Sequence, residues 1–153
     1  MPNIKKVTIQ PQTITGLQVR TKNADEMNPD THKIAPLWGK FFAELMPILE
    51  PTPTSLYGVY HHYESDAQGE YDLLVGVQDQ AEGSTLMSVS IEAGHYLVFP
   101  AKGKLPNSIM DAWQRVWAYF DDPSIDERRA YRTDFEKYIS DTEAEIYIGV
   151  HYL

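Results

Sequence analysis

The sequence predicts an α+β fold, an antiparallel sheet with two main helices on one side of it. Three observations carry this prediction. Strand-like runs outnumber helical ones, only two stretches place apolar residues at three- and four-residue steps, and the order of elements in residues 1–80 recurs in 81–153. A doubly wound parallel sheet would need a helix after nearly every strand. The chain has 153 residues, the size of one domain, 1–153, with a modest core.

Residues 7–20 alternate loosely and are rich in Thr, Val and Ile, as a strand is. Residues 22–30, with Asn23, Asp25, Asn28 and Pro29, read as a loop. A helix is predicted next, because Ile34, Leu37, Trp38, Phe41, Phe42 and Leu45 fall on one face. Asp30 or Thr31 stands where a cap is needed, although Pro36 fits only a first turn and moves the start toward Ala35. Pro47, Pro51 and Pro53 end the segment. Residues 56–60 and 71–77 are short, aromatic and β-branched, and the turn chemistry of Ser65, Asp66 and Gly69 between them predicts an antiparallel pair.

The second half repeats this order. Residues 85–91 suggest an edge or connecting strand and 94–100 a strand. A helix over 106–120 gathers Ile109, Trp113, Val116, Trp117 and Phe120 on one face before Asp121-Asp122-Pro123 stops it. Strands at 133–139 and 145–152 follow. Each half therefore reads strand, helix, strand, strand, a repeat of pattern without residue identity.

Composition narrows the function. Against 22 Asp and Glu stand 13 Lys and Arg, a formal charge of −9, so the counterion release that drives nucleic-acid binding is missing and no direct nucleic-acid contact is expected. The absence of cysteine excludes disulfides, zinc thiolates, iron–sulfur clusters and thiol catalysis. No apolar run is long enough for a bilayer and the first 30 residues hold no signal-peptide core, so a soluble cytoplasmic protein away from the membrane is expected. Nucleophile elbows and Gly-rich phosphate loops are absent, and Lys102-Gly103-Lys104 reads as a surface turn rather than an anion site; no cofactor is expected. The five histidines lack zinc spacing, and strand period would point His61 and His62 to opposite faces, so no metal is expected either.

The unusual entry is aromatic: 10 Tyr, 5 Phe and 3 Trp exceed what two helices over a sheet require. If 131–139 is a strand, Asp134, Glu136 and Tyr138 share one face and Phe135, Lys137 and Ile139 the other. The plain reading is an edge strand with a solvated polar face. The sharper one puts Glu136 among rings, its charge uncompensated until a positive ligand arrives.

The pieces Ile34-x-x-Leu37-Trp38-x-x-Phe41, Tyr57-Gly58-Val59-Tyr60, 70–77, Gly94-x-Tyr96-x-Val98-Phe99, Trp113-x-x-x-Trp117, Arg129-Ala130-Tyr131, Asp134-Phe135-Glu136-x-Tyr138 and 145–148 occur in an order that resembles the GyrI-like small-molecule-binding domain. That domain also serves as the effector-binding domain of AraC-type and multidrug-responsive transcription regulators. The resemblance implies a pseudo-twofold duplication with a ligand pocket near the junction of the halves. It also implies that a glutamate in a Phe-Glu-x-Tyr stretch lies at the base of an aromatic pocket and meets lipophilic cations, a role that falls to Glu136. Tyr57, Phe99, Trp113, Trp117, Tyr138 and Tyr147 are the rings expected around it. The helix-turn-helix domain of the regulators has no room in this chain.

The expected function is thus a stand-alone binding module for lipophilic cationic or aromatic compounds, with a protein partner or a second copy of the chain as an additional contact. Binding ranks ahead of catalysis. Two alternatives follow from relatives of the family: a small-molecule hydrolase with Glu136 as general base, and an acidic protein partner of DNA gyrase.

Overall fold

Pro11 has no amide hydrogen to give to a ladder, and the run expected to be one strand over 7–20 is two, β1 (Lys5–Ile9) and β2 (Gln12–Thr21). The computed structural model describes residues 4–49, 53–66, 68–78 and 86–152, with Tyr152 described by its backbone alone. Pro51, expected to help end the first helix, and Thr85, the expected start of an edge strand, lie outside the described residues.

The remaining strands are β3 (Leu56–His61), β4 (Tyr71–Gln78), β5 (Met87–Ile91), β6 (Gly94–Lys102), β7 (Glu127–Ser140) and β8 (Glu143–Tyr152). All eight form one antiparallel sheet in the order β1-β6-β8-β7-β3-β4-β2-β5. The fold is therefore α+β with an antiparallel sheet, as expected. The duplication is visible in that order: β3 and β7 meet at the central seam, and each half's first strand completes the opposite half, β1 beside β6 and β5 beside β2.

This exchange bends the sheet. β1 and β2 stand six strand spacings apart, about 29 Å in a flat sheet, yet the Gln10-Pro11 link reaches only about 10 Å. The same holds for β5 and β6 across Glu92-Ala93. The sheet rolls until its edges approach, and its concave side encloses a core of its own: Ile14, Tyr57, Val59, Leu74, Ile91, Tyr96 and Phe135, with Val7, Ile9, Val89 and Tyr147 against them. Where β2 crosses β4 the backbones nearly touch, since a Cβ on Gly16 would lie 1.9 Å from the Val75 carbonyl oxygen.

The helices cover the convex side. α2 (Ile34–Lys40) with the turn that follows it, and α3 (Asn107–Asp121), set Leu37, Phe41, Ile109, Trp113 and Val116 on Leu73, Val75, Leu97, Phe99, Ile146 and Ile148. The stripe predicted for 34–45 is continuous, but after Lys40 it passes into a π turn, Phe41–Leu45, and a 3-10 turn, Met46–Ile48, that holds Pro47. Neither Asp30 nor Thr31 caps α2. The expected loop contains a short helix, α1 (Asn23–Glu26), which brings Glu26 round to accept hydrogen bonds from the Lys33 and Ile34 amides, both at 3.0 Å. β7 starts six residues before the expected strand. Its ladder with β8 slips between Arg129 and Asp134, where Tyr131 has φ +53°.

Candidate ligand-binding site

At the seam Gly58 of β3 pairs with Glu136 of β7. Strand alternation then turns Tyr60, Asp134, Glu136 and Tyr138 to the helix side. Gly58 supplies the room, because a Cβ there would meet Glu136 Oε1 at 3.0 Å and Trp38 Cζ2 at 3.5 Å. Glu136 is 4 % exposed and forms no ion pair among the described residues. Three donors reach it instead: Trp113 Nε1 and the Tyr60 hydroxyl donate to Oε2 at 2.6 and 3.0 Å, and the Tyr138 hydroxyl donates to Oε1 at 2.7 Å.

The carboxylate is therefore hydrogen-bonded without being neutralised by a cation among the described residues. Burial pushes its pKa up, and the bonds from Trp113, Tyr138 and Tyr60 hold it back in part. Burial, and then the nearby carboxylate, lift the Tyr60 and Tyr138 hydroxyls well above the ordinary phenol.

A pocket of about 150 Å³ opens beside this cluster. Tyr60 and Trp113 form part of its wall, with Tyr63, Tyr71, Trp117 and Arg129 beside them. Met27 and Met110, 81 % and 54 % exposed, mark the rim, and Glu26 and Ile34 bring in the first half of the chain. Glu136 is not in the lining; it meets the pocket through the two rings that donate to its Oε2. Those rings are edge-on to each other at 5.3 Å, and Tyr60 also packs on Tyr71 at 5.4 Å.

The site residues expected from sequence divide three ways. Glu136, Trp113 and Tyr138 come together, and Trp117 joins the pocket wall 6.1 Å from Trp113. Tyr138 packs on Trp38 at 5.3 Å rather than entering the lining. Phe99 is 1 % exposed in the core beneath α3, between Tyr119 and Phe120. Tyr57 and Tyr147 are not brought to the carboxylate. Strand parity puts them on the concave side around Phe135, which Tyr147 stacks upon at 4.3 Å. Tyr60, Tyr63, Tyr71 and Arg129 were missed; for Tyr60 the signal was its two-residue step from Gly58, readable only once the register with Glu136 is known.

A second buried carboxylate lies nearby. Asp134 is fully buried, pairs with Arg129 Nη2 at 2.8 Å, and accepts bonds from the Tyr63 hydroxyl at 2.5 Å and the Gly149 amide at 2.8 Å. Beyond the pocket, His62 adopts φ +56° just past β3, so its ring lies nearly parallel to that of His61 at 6.4 Å instead of on the opposite face. No group of three His, Cys, Asp or Glu among the described residues is arranged to hold a metal.

Residues 7–150 match the Cass2 family, described as integron-associated effector binding protein. An integron cassette protein from the mobile metagenome of Vibrio cholerae is 39 % identical, with 97 % of this chain and 95 % of that one covered and a TM-score of 0.88. SAV2435 bound to tetraphenylphosphonium has the same fold at 15 % identity, with 97 % and 94 % covered and a TM-score of 0.73. The C-terminal domain of EcmrR does so at 15 % identity, with 100 % and 99 % covered and a TM-score of 0.57. Comparison with curated proteins finds no match.

Proposed function

The chain belongs to the integron-associated effector-binding family, and we propose that its effector is a lipophilic cation, taken into the pocket in front of Tyr60 and Trp113. The observation that carries this reading is Glu136, a buried carboxylate with three hydrogen bonds and no cation among the described residues. Its ionised form lacks hydration that a positive ligand would replace. A positive charge in the pocket is attracted to it across the Tyr60 and Trp113 rings, with little water between to screen the attraction. Tyr60 and Trp113 relay the charge, because donation to Oε2 leaves their rings richer in electrons toward the cation.

The pocket has room for about one aromatic ring. Larger ligands would extend over Met27 and Met110, whose flexible thioethers adapt to many shapes. The tetraphenylphosphonium bound by SAV2435 supports the reading at the level of the shared fold. Hydrolysis is disfavoured, since both Glu136 oxygens accept bonds from side chains and neither stands in the pocket lining to orient water.

The test is to titrate tryptophan fluorescence with tetraphenylphosphonium and with neutral triphenylphosphine oxide. Trp113 and Trp117 report from the wall. The cation should bind at least tenfold more tightly, and Glu136→Gln should remove most of that margin. Equal affinities in the unmodified protein would refute the proposal.

A further inference from the structure

We propose that Arg129 is a second recognition element of this pocket, an N–H donor that takes a neutral oxygen acceptor on the ligand. The preferred effector is then a lipophilic cation bearing a carbonyl or ether oxygen. This rests on the cation reading above and narrows its ligand class.

Arg129 is in the pocket lining, and its side chain is 7 % exposed. Its Nη2 donates to Asp134 Oδ2, while its Nε–H is buried and has no partner among the described residues. A guanidinium is a planar fork whose Nε and Nη hydrogens suit a pair of acceptors, and here one position is filled. A buried N–H without an acceptor is costly and rare, and because Arg129 belongs to the pocket wall, a ligand oxygen that displaces the atoms covering Nε removes that cost.

The backbone sustains the arrangement. The register slip between Arg129 and Asp134, with Tyr131 at φ +53°, brings the two side chains of one strand together, and the Tyr131 ring lies 4.5 Å from the guanidinium carbon. A left-handed tyrosine is uncommon and persists where the surroundings require it.

The acceptor should be neutral. Asp134 already balances Arg129, so the arginine does not expel a cationic ligand. A ligand carboxylate, by contrast, would meet Asp134 close by, with Glu136 and Glu26 around the pocket. Glu26, which accepts hydrogen bonds from Thr21, Lys33 and Ile34 and forms no ion pair among the described residues, adds its negative charge to the pocket from the first half of the chain.

The experiment compares two probes: hexyltriphenylphosphonium, and the same cation with one ketone oxygen on its chain. The ratio of their affinities is read in the unmodified protein, in Arg129→Lys, and in Arg129→Met combined with Asp134→Asn, which leaves no unpaired charge if the lysine variant fails to fold. The ratio should shift about fivefold toward the alkyl probe in the variants, whatever change the altered wall makes to both affinities together. An unchanged ratio overturns the Arg129 proposal alone. Failure of both probes to bind the unmodified protein overturns the cation reading and this one with it.

Discussion

Trp113 Nε1 stands 2.6 Å from Glu136 Oε2, so α3 is tied to the central seam of the sheet by a bond whose strength depends on the charge of that carboxylate. Trp113→Phe keeps a ring in the wall and removes the donor. The variant should lose about 1 to 3 kcal/mol of stability in denaturant titration. It should also bind tetraphenylphosphonium more weakly at neutral pH, because Glu136 with two donors left is ionised less readily.

The raised pKa of Glu136 gives pH profiles of defined sign. Folded protein keeps the proton over an interval, above the ordinary carboxylate value, in which the unfolded chain has released it. Stability therefore falls as pH rises through that interval and levels off above the folded pKa. Thermal melts between about pH 4 and pH 8 should show a decline that Glu136→Gln lacks. Cation affinity should move the other way, rising as Glu136 ionises, with proton release detectable by calorimetry in buffers of different ionisation enthalpy.

The two faces of β3 should respond differently to loss of a hydroxyl. Tyr60→Phe removes a bond to Glu136 Oε2 in the pocket wall and should weaken cation binding severalfold. Tyr57→Phe alters the concave core and should leave affinity within about twofold. A matching loss in both would show that the pocket described here is not where the cation binds.

Gly58→Ala should disturb the site without touching the pocket lining. The added methyl would sit 3.0 Å from Glu136 Oε1, which Tyr138 holds in place, so the carboxylate has little freedom to retreat. A stability loss of about 1 to 3 kcal/mol with weakened cation binding is expected. Gly39→Ala, where nothing lies within 4 Å of the new Cβ, is the control and should cost nothing measurable.

The sequence carried the element types well where one residue pattern decided them. The Trp113 stripe defined α3 to within a residue at each end, and the alternation of Asp134, Glu136 and Tyr138 put all three on one face, as found. It carried long-range geometry poorly. Tyr57 and Tyr60 are equally aromatic neighbours on one short strand, and which of them faces Glu136 depends on a pairing across 76 residues that periodicity does not encode. Arg129 was hidden for a related reason: it reaches Asp134 only because the ladder slips at Tyr131, and nothing local to a tyrosine announces a left-handed backbone. The fold of β1 away from β2 was signalled by Pro11, but the strand that receives β1 lies near residue 96.

The exchanged edge strands also set an order in time. A ribosome delivers Lys5 long before Val98, and Tyr60 long before Glu136, so the first half emerges with β1 unpaired, β3 exposed at an edge and the Tyr60 hydroxyl without its acceptor. Closure of the sheet, burial of the concave core and assembly of the carboxylate cluster must then wait for the second half and arrive together. The ligand pocket is thus the last thing the nascent chain acquires, and under the proposed function a bound cation would be a late brake on its reopening.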